Sequence, residues 1–75
     1  MIKTIKKVDF SRVDLEKMQR NDSIMVLHDD FKSAESTMSM ARMEIKRNPR
    51  TDIERYKSGM EAGTFTVLIT AIPKK

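Results

Sequence analysis

Cysteine is absent from this chain, so neither a disulfide framework nor a thiolate metal site can reinforce it. Tryptophan is absent too, and three phenylalanines and one tyrosine are the only rings, so a core must come from Ile, Val and Met. Spread over a single domain, 1–75, such a core is thin, and small domains of this kind often gain stability by self-association. The two glycines, Gly59 and Gly63, are too few and wrongly placed for a loop that cradles phosphate. No apolar run approaches the length that spans a bilayer. The basic opening Met1-Ile-Lys-Thr-Ile-Lys-Lys lacks the apolar stretch of a secretory signal, because Asp9, Arg12, Asp14, Glu16 and Lys17 interrupt the residues downstream. A cytoplasmic chain with no membrane partner is the expectation.

What the chain does have is charge, and its distribution says more than its net value of +4. Residues 1–20 and 41–60 are basic, whereas Asp22, Asp29, Asp30 and Glu35 face a single lysine in 21–40. Asp29 and Asp30 thus open the segment that Lys46 and Arg47 close, which is the polarity a helix dipole favours. Within that segment Phe31, Ala34, Met38, Ala41 and Ile45 are spaced 3, 4, 3, 4, the stripe of one helix face. Met40 and Met43 fall roughly 140–160° from the centre of that stripe. They project beside Ser33, Ser36 and Arg47, on the side a lone domain gives to water. A second apolar surface, flexible and flanked by small residues, suits another molecule.

Around this helix the chain divides readily. Ile2–Val8 reads as an edge strand guarded by lysines. Ser11 is an N-cap with Asp14 at the third helical position, opening a helix to about Arg20 that docks through Leu15 and Met18. Asn21-Asp22 is turn chemistry, and Ile24–Leu27 reads as a central strand. Asp30 caps the main helix, which ends before Pro49. Thr51-Asp-Ile-Glu54 matches a capping box, so a third helix is predicted from Asp52 to Gly63, with Ile53, Tyr56 and Met60 inside. Thr64–Ile72 is the strongest strand, with Phe65, Val67, Ile69 and Ala71 inward and Leu68 and Ile72 among threonines on the other face. The predicted fold is a small two-layer α+β domain, β-α-β-α-α-β, with a three-stranded sheet and helices mainly on one face.

Chemistry has few candidates. His28-Asp29-Asp30 lies at a strand end, where acid–base or metal sites occur. Each residue also has a structural use, though: strand end, helix dipole and N-cap. With one histidine and no G-x-S-x-G elbow, nucleophilic catalysis has no base to spare. No enzyme, cofactor, metal or small-molecule substrate is expected. Arg42, Lys46, Arg47, Arg50 and Arg55 could form one basic patch for nucleic acid, but the chain has no rings to spare for base stacking. The expected function is a non-catalytic protein–protein interaction module, an accessory or inhibitory factor of the kind viruses and mobile elements encode. It would bind a larger protein, or a second copy of itself as a dimer, through Ser33, Ser36, Met40, Met43 and Arg47. Nucleic-acid binding through Arg42–Arg55 is the alternative.

Overall fold

A computed structural model describes residues 2–61 and 63–74. Strand β1 (Ile2–Lys6) leads through a 3-10 turn at Lys7–Asp9 into helix α1 (Arg12–Glu16). Strand β2 (Ser23–Leu27), helix α2 (Phe31–Arg47), strand β3 (Ile53–Met60) and strand β4 (Thr66–Pro73) complete the order. The sheet has four strands in the order β1-β2-β4-β3, with β1 parallel to β2 and β4 antiparallel to both of its neighbours. The class is α+β as expected. The order is β-α-β-α-β-β, with one strand more and one helix fewer than the sequence predicts.

The missing helix is β3, and the reason is local. A register shift between Ile53 and Arg55 breaks the ladder with β4. A bulge of this kind inserts one residue, so Ile53 and Tyr56 share a face although they are three apart. With Met60 the spacing becomes 3 and 4, the same count a helix gives. Ile53 and Tyr56 are buried and Met60 packs against the core, but on a strand. The Thr51–Glu54 motif therefore caps nothing. Gly63, expected to stop a helix, instead takes φ +82° in the turn joining β3 to β4, a conformation glycine adopts without strain.

Other local signals act as expected. The Ser11 N–H donates to Asp14 Oδ2 at 2.9 Å, although α1 stops at Glu16 rather than near Arg20. Asp30 caps α2 by accepting the Ser33 N–H at 2.7 Å. Asn21 turns the chain into β2 with φ 68°, in the left-handed region that asparagine tolerates.

Both helices lie on one face of the sheet. Ile5, Ile24, Val26, Val67, Ile69, Ala71 and Tyr56 point into that layer and meet Leu15 and Met18 from the α1 region and Ala34 and Ala41 from α2. Val26 opposes Val67, and both are fully buried. Helix α2 packs its predicted stripe on the core from Ala34 onward, with Ala34 and Ala41 buried and Met38 and Ile45 partly so, and departs from it at Phe31. Phe31 stays 54% exposed, while Thr37 and Glu44 are buried, Glu44 on the flank that meets Arg12 of α1. The Glu44 carboxylate is satisfied there by Arg12 Nε at 3.2 Å and Asn48 Nδ2 at 2.8 Å. A buried charge needs such partners.

Candidate interaction surfaces

Because strand side chains alternate, the residues between the buried ones emerge on the far side of the sheet. The pairing places Ile2, Thr4 and Lys6 beside Ser23, Met25 and Leu27, then Thr66, Leu68, Thr70 and Ile72. Arg55, Lys57 and Gly59 complete the face from β3. Among the described residues no helix covers this side. Leu27 and Leu68 remain 39% and 36% exposed, with Ile2 more exposed still at one edge. Ser23 Oγ and Thr70 Oγ1 lie 2.9 Å apart, a cross-strand hydroxyl pair that keeps the centre level. Beside Leu68, Gly59 presents no side chain and leaves a depression of about 260 Å³ between Lys57 and Glu61.

The surface predicted on α2 is less uniform. Met43 is 45% exposed, with Ser36 and Arg47 also exposed. Met40 and Ser33 are half-buried: with Ser36, Thr37, Lys7 and Phe10 they line a shallow groove where the 3-10 turn runs past the helix. Met40 therefore partly belongs to its own domain, because that turn lies over the side of the helix the sequence left to water.

The predicted basic patch divides in the structure. Arg50 turns inward, donating to Asp52, to the main-chain oxygens of Glu16 and Met18, and to the Tyr56 hydroxyl. Tyr56 in turn donates to the Leu15 carbonyl at 3.1 Å. This network fastens the end of α1 to β3, and the hydrogen bond with Tyr56, more than the ion pair with Asp52, raises the guanidinium pKa above its ordinary value. Arg42 and Arg55 do come together, lining a groove of about 330 Å³ with Tyr56, Lys57 and Ser58 along the free edge of β3. Lys46 and Arg47 lie at the exposed end of α2, away from that lining. Lys57 was missed because the sequence places it on a helix; on a strand it shares a face with Arg55.

The His28 cluster does not assemble a site. Asp30 is engaged as a cap, Asp29 is exposed, and among the described residues no three His, Cys, Asp or Glu side chains gather as metal ligands. Both His28 ring nitrogens are buried without a hydrogen-bond partner. That desolvation, aided by Lys7, holds the imidazole below its ordinary pKa against the opposing pull of Asp30 and Asp29. No helix is long and apolar enough to cross a membrane among the described residues. The chain matches no protein-family model, curated protein or solved structure, so no relative's activity bears on these surfaces.

Arg50→Ala is expected to lower stability by about 2 kcal/mol, as loss of charged hydrogen bonds does, with Arg50→Lys recovering little because an ammonium lacks the planar fork. Chemical denaturation checks this; an unchanged midpoint would show that the network is ornamental. For His28, the unfolded chain titrates near 6.5 and the folded chain lower. Above the unfolded pKa the ring is neutral in both states and adds no pH dependence. As pH falls below it, the unfolded chain takes up a proton the folded chain refuses, so stability drops. His28→Gln should flatten that slope as pH falls below about 6.5; an equal slope in both proteins would assign it to other groups.

Proposed function

We propose that this chain is a non-catalytic protein-interaction module, an accessory factor whose contact surface for a larger protein is the open face of the sheet. The observation that carries this reading is the apolar group Met25, Leu27 and Leu68, with Ile2 and Ile72 flanking the Ser23–Thr70 pair beside it, on a face that the chain's own helices leave uncovered. Apolar residues grouped on three adjacent strands make a patch, unlike the single apolar residues scattered over any surface. Its charged neighbours on the strands are Lys6, Arg55 and Lys57, with Glu61 the one acid beyond β3. The complementary partner is a protein surface with an apolar centre and an acidic border. Nucleic acid fits this face less well, because no ring on it offers a base a stacking platform. Met43 on α2 offers a single side chain by comparison.

The reading is tested by comparing retention from one lysate of producing cells, with and without nuclease treatment. The wild type is set beside Leu27→Glu with Leu68→Glu, and beside Met43→Glu. All are surface changes that shift stability by less than about 0.5 kcal/mol each. The expected result is a protein retained by the wild type and Met43→Glu and lost by the leucine pair. Loss with Met43→Glu alone would move the interface to α2. Loss on nuclease treatment would favour the basic groove and nucleic acid.

A further inference from the structure

The sheet also leaves an edge open. β3 is the outermost strand, and Glu61 extends its ladder by donating its N–H to the Thr66 carbonyl at 2.9 Å. Along an antiparallel pair, residues that bond to the neighbour alternate with residues whose N–H and C=O point away. In the register of β3 with β4, Arg55, Lys57, Gly59 and Glu61 bond inward. Tyr56, Ser58 and Met60 therefore turn their backbone groups outward, to the free edge. The bulge sits at the start of the strand, before Arg55, so the run from Arg55 to Glu61 is regular.

We infer that this edge is closed by a second copy of the chain, β3 pairing antiparallel with its own equivalent around Ser58. A two-fold axis at Ser58 sets the outward groups of Tyr56, Ser58 and Met60 against those of Met60, Ser58 and Tyr56 of the second copy, which is the hydrogen-bonded pairing. On the open face it sets Arg55 opposite Glu61 of the second copy, twice, and Lys57 opposite Gly59. Opposite charges in cross-strand positions stabilise, and like charges do not. Sliding the register by two residues in one direction puts Lys57 against Lys57, and a further two puts Arg55 against Lys57. Sliding it the other way shortens the ladder. Charge and length together select one register.

The helix layer obeys the same symmetry. Helix α2 packs over β3, with Ser58 Oγ donating to the Met38 carbonyl at 3.5 Å. Arg42 reaches the groove along the β3 edge, and Glu35 lies two turns away on the same side of the helix. The midpoint of Glu35 and Arg42 falls between Met38 and Ser39, above Ser58. The same two-fold axis thus brings Glu35 toward Arg42 of the second copy and Arg42 toward its Glu35, with the small Ser39 between them. Among the described residues none of Glu35, Arg42, Arg55, Lys57 or Glu61 forms an ion pair within the domain. The opposite edge of the sheet, β1, carries only lysines as charged residues and repels its own copy.

Pairing at β3 joins two four-stranded sheets into one of eight strands and leaves the open faces side by side. The dimer is therefore separable from the sheet-face contact proposed above, and Leu27→Glu with Leu68→Glu should leave it intact. Sedimentation equilibrium over micromolar concentrations tests it with four proteins: wild type, Arg55→Glu, Glu61→Arg and the double exchange. Circular dichroism follows the fold of each. Wild type and double exchange are expected at twice the 8.7 kDa chain mass. Each single reversal, which places like charges opposite twice per dimer, is expected to weaken association at least about tenfold. A monomeric wild type overturns the inference. So does a dimer indifferent to both single reversals, or a double exchange that fails to restore association.

Discussion

Among the described residues the helices cover one face of the four-stranded sheet, through a thin aliphatic core, and that one-sided packing governs the rest of the structure. Both helices are spent on the inner layer. Insertion of β4 between β2 and β3 makes the core continuous, and it also makes β3 an edge. The open face and the open edge, among the described residues, thus follow from one strand order and one-sided helix packing.

The polar contacts divide along the same line. Arg12, Glu44, Asn48, Arg50, Asp52 and Tyr56 hold α1, α2 and β3 together from within. These are groups whose loss leaves a buried partner unsatisfied, so they are tied to stability rather than recognition. Among the described residues Glu35, Arg42, Arg55, Lys57 and Glu61 have no such engagement, and Arg42, Arg55 and Lys57 line the groove at the β3 edge. Charge in this chain is sorted by what it faces: the paired groups fix the fold, and the unpaired ones are available to another molecule.

Much of the fold was legible from local chemistry. The caps at Ser11 and Asp30, the turn at Asn21 and the stop before Pro49 are short-range effects, and each lies where its residue type directs. Strand β2 was legible from residues apolar on both parities, and β4 from its β-branched run. β3 was not, because a bulge reproduces helical spacing in Ile53, Tyr56 and Met60, and periodicity has no means of telling the two apart. Phe31 shows a related limit: its spacing fits the stripe, but as the first residue of α2 it stays more than half exposed.

The candidate surfaces were legible only in part. Met43, Ser36 and Arg47 are exposed as their helical positions imply, whereas the cover over Met40 depends on where the 3-10 turn runs. Arg50 carries no local mark separating it from Arg42 or Arg55; its inward turn is set by carbonyls more than thirty residues away. The open sheet face was visible as the half-polar side of β4, but its extent required the strand order.

Amide hydrogen exchange along β3 reads the state of the free edge residue by residue. If that edge is closed by a second copy, the amides of Ser58 and Met60 are protected at high concentration and lose protection on dilution. Those of Lys57 and Gly59, bonded to β4, stay protected throughout. Fast exchange at Ser58 and Met60 at every concentration, with Lys57 and Gly59 protected, would show a strand whose edge stays open and would rule the paired edge out.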